Sequence, residues 1–101
     1  MGRELAKESA FVTKFLDKIR KRYPKAIIMK NDANQIQGFP DWDIKYMDKW
    51  VSLEFKRSKN ASKQPNQAYW VDTLNNMSYA SFVYPENEEE VLYEIQRVFE
   101  S

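Results

Sequence analysis

The residue pattern from 51 to 56 limits the fold of this chain more than any other stretch. Apolar and polar side chains alternate strictly there, and successive side chains of a β-strand point to opposite faces of the sheet. The pattern therefore predicts a strand with one face in the hydrophobic core and with Glu54 and Lys56 together on the other. The core-facing residues are Val51, Leu53 and Phe55, and the polar ones are Ser52, Glu54 and Lys56.

A Pro-Asp pair stands upstream of this strand. Asp41 precedes Glu54 by thirteen residues, and the intervening segment is predicted to form the two strands of a hairpin. Such a hairpin places two carboxylates close to Lys56. Asp43 lies two residues beyond Asp41, so on one strand both aspartates are expected to share a face and to approach the same site.

Composition restricts the chemistry that is possible. Histidine and cysteine are both absent from the 101 residues, which excludes disulfides, thiolate or imidazole zinc sites, and catalysis by Ser-His-Asp or Cys-His systems. The remaining carboxylates are hard oxygen ligands, which suit Mg²⁺ or Mn²⁺. Hydrophobic residues make up 43% and aromatic residues 15% of the chain, enough for one packed core, so residues 1–101 are predicted to form a single domain.

The order of predicted elements is α-β-β-β-α-β-α, which indicates an α/β fold with a mixed sheet flanked by helices. The second helix is expected to bury a stripe made of Trp70, Val71, Leu74 and Met77. The predicted elements are a helix at 3–23, strands at 26–30, 41–46 and 50–57, a helix at 65–77, a strand at 79–84 and a helix at 87–100, with the hairpin turn at 47–49.

Two polar residues fall on faces that should pack inward. Glu8 projects into the apolar stripe of the first helix, and a buried carboxylate usually has a cation or metal partner. At the edge of the stripe it would instead reach solvent or pair with a lysine. Gln67 projects inward from the second helix, where a buried amide needs hydrogen-bond partners. Either backbone carbonyls or a substrate phosphate would satisfy it.

These residues together suit the hydrolysis of a phosphodiester. Asp41, Glu54 and the carbonyl of Phe55 can hold one or two divalent cations. Lys56 can orient or help to deprotonate the attacking water, or stabilise the developing negative charge. The basic residues that follow are positioned to contact backbone phosphates, although a solvated loop would have the same composition. They are Arg57, Lys59 and Lys63.

Charge is distributed unevenly along the chain. Residues 1–63 hold 15 of the 16 basic residues against 8 acidic ones, whereas residues 64–101 hold 1 basic residue against 7 acidic ones. Such a division predicts a basic face for a polyanion, unless the charges intermix in three dimensions. The N-terminus lacks a signal-peptide pattern and no segment is as long and apolar as a membrane span, so a cytoplasmic location without a membrane partner is expected.

Three segments, in this order, resemble the VRR-NUC (virus-type replication-repair nuclease) family of the PD-(D/E)XK nuclease superfamily, over roughly residues 4–84. They are Gly38-Phe39-Pro40-Asp41, Leu53-Glu54-Phe55-Lys56 and Gln67-Ala68-Tyr69-Trp70. The resemblance implies the restriction-endonuclease-like core of that superfamily and dependence on Mg²⁺ or Mn²⁺. By similarity the active-site set is Glu8, Asp41, Glu54, Lys56 and Gln67.

The resemblance also implies a substrate and an assembly. Stand-alone family members of this size are associated with phages, hence with the bacterial host cell, and with homodimers that cleave branched DNA such as the four-way Holliday junction. A junction cut symmetrically calls for two sites related by a two-fold axis. Trp42, Trp50 or aromatic residues on the far side of the sheet are candidates for the dimer interface.

Other functions fit the same pattern. The first is an exonuclease or flap nuclease on the same core, although an exonuclease usually needs extra chain to thread its substrate. The second is a catalytically inactive DNA-binding module. The third is an RNA-processing endonuclease or an interaction domain without a nucleic-acid role; the absence of histidine disfavours metal-independent RNA cleavage.

Overall fold

The structure is a computed structural model that describes the backbone of residues 3–101 and the side chains from Ser9 onward. Helices and strands follow one another in the predicted order. The elements are α1 (Arg3–Arg22), β1 (Ile27–Lys30), β2 (Trp42–Tyr46), β3 (Lys49–Phe55), α2 (Pro65–Met77), β4 (Tyr79–Val83) and α3 (Glu88–Phe99), with a 3₁₀ turn at Pro85–Asn87 before α3.

The four strands form one mixed sheet in the order β1-β2-β3-β4. The pairs β1–β2 and β2–β3 are antiparallel, whereas β3 and β4 are parallel. Parallel neighbours need a crossover connection, and α2 provides it. The predicted α/β class, with a mixed sheet flanked by helices, is therefore confirmed, and α2 has the predicted bounds because Pro65 suits the first helical position.

The hydrophobic core lies between one face of the sheet and the helices α1 and α3. Val51, Leu53 and Phe55 of β3 are 0%, 0% and 4% exposed and belong to this core. The strand facing inferred from alternation is thus confirmed. The helices contribute Phe15, Leu16, Ile19, Val91, Ile95 and Phe99.

The opposite face of the sheet is covered in part by α2. Leu74 is buried there, as predicted, but Met77 is 69% exposed and its predicted burial is wrong. Met77 is the last residue of α2, and β4 begins only two residues later. The helix therefore ends at the rim of the sheet, beyond the surface that it covers.

The backbone has a positive φ at Met47 and at Gly38, a conformation that few residue types adopt easily. The hairpin turn is shorter than predicted, because Lys49 pairs with Tyr46 and leaves only Met47 and Asp48 in the loop; Met47 has φ of 58°. Gly38 has φ of +84°, and a Cβ added to it would lie 2.7 Å from the backbone carbonyl carbon of Asn66. Glycine at this position lets the chain before Asp41 pack against the start of α2.

Ion pairs join the basic and acidic parts of the chain. Lys18 of α1 contacts Glu88 of α3 at 2.8 Å, and Arg22 contacts Glu100 at 2.9 Å. On this side of the molecule basic and acidic side chains therefore intermix, which favours the second possibility left open by the sequence over a separate basic face. None of the helices in the described part of the chain is long and apolar enough to cross a membrane.

Candidate active site

The strand register brings the Pro-Asp segment next to the end of β3. Trp42 pairs with Leu53, so Asp41 lies beside Glu54 at the next position along the two strands. The backbone N–H of Asp41 donates a hydrogen bond to Glu54 Oε1 at 3.2 Å. The hairpin therefore joins the two carboxylate residues that stand thirteen positions apart in the sequence.

Glu54 is a charged residue in an unusually enclosed position. It is 5% exposed and lies on the sheet face opposite the core residues Leu53 and Phe55. Burial of a carboxylate is unfavourable unless hydrogen bonds replace its water. Besides the N–H of Asp41, Glu54 accepts a hydrogen bond at Oε2 from Gln67 Nε2 at 3.3 Å.

Gln67 links Glu54 to Lys56 through its side-chain amide. Its Oε1 accepts hydrogen bonds from Lys56 Nζ at 2.9 Å and from the backbone N–H of Gln64 at 3.0 Å. Gln67 is the third residue of α2, so the second of these bonds caps one of the unpaired N–H groups at the start of the helix. With three partners, the amide is held in one orientation, its nitrogen toward Glu54 and its oxygen toward Lys56.

Lys56 follows β3 directly and is also held by the backbone. Its N–H donates to the carbonyl of Val83 at 2.8 Å, which extends the parallel pairing of β3 and β4 by one residue. The half-buried side chain then reaches Gln67 on the α2 side of the sheet. An amide oxygen holds the ammonium without neutralising its charge, so the charge remains available to an anionic substrate.

The two aspartates of the motif do not share an environment. Asp41 lines a cavity of about 270 Å³ between α1 and the sheet, whereas Asp43 lines a separate cavity of about 230 Å³ on the α2 side. Asp43 also accepts a short hydrogen bond from Ser52 Oγ, the residue opposite it in the register. The expectation that both aspartates face one site is therefore wrong. β2 begins at Trp42, so Asp41 precedes the strand and does not follow its alternation.

The remaining predicted site residues lie around this group. Glu8 belongs to the segment whose side chains lie outside the described residues. Arg57, Lys59 and Lys63 occupy the loop between β3 and α2 and are exposed. Lys63 Nζ lies 5.3 Å from the ring centroid of Phe82, which pairs with Glu54 in the sheet. The ammonium of Lys63 is thus held against an aromatic ring at the edge of the site.

The donor chemistry of the site fits Mg²⁺ or Mn²⁺. Asp41 and Glu54 supply carboxylates and Phe55 a carbonyl, and Mg²⁺ in proteins is commonly held by one or two carboxylates with water completing its shell. Among the described side chains no group of three or more acidic residues comes together as a metal site. A cation of this kind can be held by two carboxylates and a carbonyl, with water completing its shell.

Comparison of the chain with protein-family models, with curated proteins and with solved structures found no match in any of the three.

Sequence reasoning missed part of the site. From the sequence, Lys30 is expected only in a strand and Trp42 only at an interface, yet both line the cavity beside Asp41. The pairing of β1 with β2 places Lys30 directly opposite Trp42. The local pattern of either strand holds no signal for this contact, because it depends on register.

Proposed function

We propose that this chain is a divalent-metal-dependent DNA endonuclease that hydrolyses phosphodiester bonds on a PD-(D/E)XK core of the VRR-NUC type. The observation that carries the proposal is the chain of contacts from Glu54 through Gln67 to Lys56, with the backbone N–H of Asp41 donating a hydrogen bond to the same glutamate. It brings the Glu54 carboxylate and the Lys56 ammonium together at the end of the sheet where Asp41 lies, and these are the residue types that phosphodiester hydrolysis by this superfamily uses.

The residues of the chain have distinct roles in this proposal. Asp41, Glu54 and the Phe55 carbonyl would hold the cation, which would supply positive charge against the charge that grows on the phosphate oxygens. Lys56 donates hydrogen bonds to the reacting phosphate or to the attacking water, which lowers the energy of the developing anion. Gln67 positions Lys56 and Glu54 relative to each other.

Branched DNA is the proposed substrate and a homodimer the proposed assembly. The exposed loop with Arg57, Lys59 and Lys63 begins immediately after Lys56, so phosphates on either side of the cut have cations within reach. Symmetric cleavage of a four-way junction requires two such sites related by a two-fold axis.

The test is cleavage of labelled DNA by the purified protein with Mg²⁺, Mn²⁺ or EDTA. The panel contains a four-way junction, a fork, a flap, a linear duplex and a single strand. We expect metal-dependent cuts in the junction that are lost in Glu54→Gln and Lys56→Met. The matched control is Glu90→Gln, which changes an exposed glutamate of α3 and should cut at the wild-type rate.

Each other outcome favours a different function. Preferential cleavage of flaps or of ends would replace the resolvase assignment by a flap nuclease or exonuclease. Binding without cleavage of any substrate would favour the inactive DNA-binding module. Wild-type activity in Glu54→Gln would contradict the active-site assignment itself.

A further inference from the structure

The cavity beside Asp41 combines an aromatic ring, a cation and a carboxylate. Its volume is about 270 Å³, and its lining includes Lys30 of β1, Trp42 of β2 and Thr13 of α1. Lys30 Nζ lies over the indole of Trp42, 5.7 Å from the ring centroid. None of these three residues has a role in the hydrolytic mechanism proposed above.

The size of the cavity selects a small occupant. Pockets for small organic ligands measure about 300–1,000 Å³, so this cavity lies just below that range and suits one nucleotide rather than a duplex. Inside a duplex the faces of each base are covered by its neighbours, and a tryptophan ring stacks only on a base that has left the stack. The half-buried indole at this cavity is therefore suited to an unpaired base.

The cation completes the recognition of a nucleotide. Stacking on an aromatic side chain together with a positive charge for the backbone is the general chemistry of single-strand binding. Lys30 lies opposite Trp42 in the sheet and on the same face, and its ammonium lies over the indole. A base that stacks on the indole therefore displaces this exposed lysine, whose ammonium can then contact the phosphate of the same nucleotide. Asp41 lines the same cavity, so a nucleotide bound there lies on the α1 side of this aspartate, whereas Glu54 and Lys56 lie on its α2 side.

We propose that the cavity formed by Lys30, Trp42 and α1 binds a single unpaired nucleotide of the DNA strand that is cleaved. The inference rests on the proposed function and specifies its substrate: the enzyme cuts beside a base that is already unpaired or easily flipped. Branch points and flaps meet this condition, whereas an intact duplex does not.

The experiment measures DNA binding in EDTA, so that cleavage cannot contribute. The probe is a fluorescein-labelled single-stranded oligothymidylate, read by anisotropy, with a blunt duplex of equal length as the competitor. Trp42→Leu should weaken binding of the single strand by about 5- to 150-fold, because a stacked base contributes about 1–3 kcal/mol. Trp42→Phe should keep most of the affinity, since the phenyl ring still offers a face for stacking.

Lys30 is tested by the dependence of binding on salt. Lys30→Gln should reduce the slope of log affinity against log salt by about 0.7, the value for one phosphate contact on a single strand. Trp42→Leu should leave that slope unchanged. The matched control is Trp50→Leu, which changes a similarly half-buried tryptophan in the cavity on the opposite face of the sheet and should bind as the wild type does.

A second measurement covers the case in which Trp42→Leu does not fold. The chain has three tryptophans, so the double variant Trp50→Phe, Trp70→Phe retains Trp42 as its single tryptophan. Saturating oligothymidylate should quench its emission. Unchanged emission, wild-type binding by Trp42→Leu, or an equal loss in Trp50→Leu would each overturn the proposal.

The outcomes separate this inference from the proposed function. Quenching of Trp42 without cleavage of any substrate would leave the nucleotide pocket standing and refute the nuclease. Cleavage of branched DNA at rates unaffected by Trp42→Leu, with no quenching, would support the nuclease and refute the pocket.

Discussion

Replacement of Gln67 by leucine removes the amide that connects the site to α2. The amide donates one hydrogen bond to Glu54 at 3.3 Å and accepts two, from Lys56 at 2.9 Å and from the N–H of Gln64 at 3.0 Å. Leucine is similar in size but can form none of the three. A hydrogen bond to a charged group contributes about 1.5–3 kcal/mol. Loss of a capping interaction costs about 1 kcal/mol.

The largest part of the expected cost comes from Glu54, which is 5% exposed and loses a donor that water replaces poorly. Because the bonds share one side chain, their energies do not simply add. We expect Gln67→Leu to lower the free energy of unfolding by about 2–4 kcal/mol. This free energy is measured by urea denaturation monitored by circular dichroism. The control is Gln96→Leu, at an exposed position of α3.

A double-mutant cycle tests the cause. If the cost arises because the buried carboxylate loses one of its donors, removing the carboxylate as well should recover part of the stability. Gln67→Leu combined with Glu54→Leu should then be about 1–3 kcal/mol more stable than the sum of the single changes predicts. A loss below about 0.5 kcal/mol in Gln67→Leu, or strictly additive effects, would refute the assignment of Gln67 as a stabilising donor to Glu54.

Three further predictions concern stability. Gly38→Ala should destabilise the protein by about 1–3 kcal/mol, because its Cβ would lie 2.7 Å from backbone of Asn66 at a φ of +84°; a wild-type urea midpoint would contradict this. Met47→Asn should raise the free energy of unfolding by up to about 1 kcal/mol, since Met47 has φ of 58° and asparagine tolerates this region better; an unchanged melting temperature would contradict it. The hydrogen bond from Tyr23 lowers the pKa of Glu100 below its ordinary value. The stabilisation that ionised Glu100 provides is therefore fully present above the ordinary pKa and is lost as pH falls through the lowered pKa. Glu100→Gln should therefore reduce the loss of stability on acidification, and urea midpoints measured from neutral to acidic pH test this.

Local patterns in the sequence were sufficient for the secondary structure and for part of the site. Alternation along β3 gave the facing of Glu54 and Lys56 correctly, because a strand at the centre of a sheet must bury one set of side chains. Pro65 marked the first turn of α2 for an equally local reason. Inward projection of Gln67 was also correct, although its partners are Glu54 and Lys56 and not backbone carbonyls.

The features that sequence reasoning missed depend on contacts between distant segments. Asp43 and Asp41 face different cavities because β2 begins at Trp42, between them. Just before that first residue, the N–H of Asn31 donates a hydrogen bond to the carbonyl of Asp41. The Lys30–Trp42 contact follows from the register of β1 on β2. Neither register nor the exact first residue of a strand is specified by the composition of the strand itself.

The contacts around α2 make the geometry of the site depend on a glycine that has no role in the proposed chemistry. Gly38 packs against Asn66, the second residue of α2, and Gln67 comes immediately after it. We expect a side chain at Gly38 to displace the start of α2 relative to the sheet, which would lengthen the contacts of the Gln67 amide with Glu54 and Lys56. Displacement of about 1 Å at a catalytic group can reduce a rate by about a hundredfold. For Gly38→Ala we therefore expect a loss of cleavage larger than its loss of stability explains, measured well below the melting temperature where the variant is fully folded. A fully folded variant with the wild-type rate would show that α2 does not position the site.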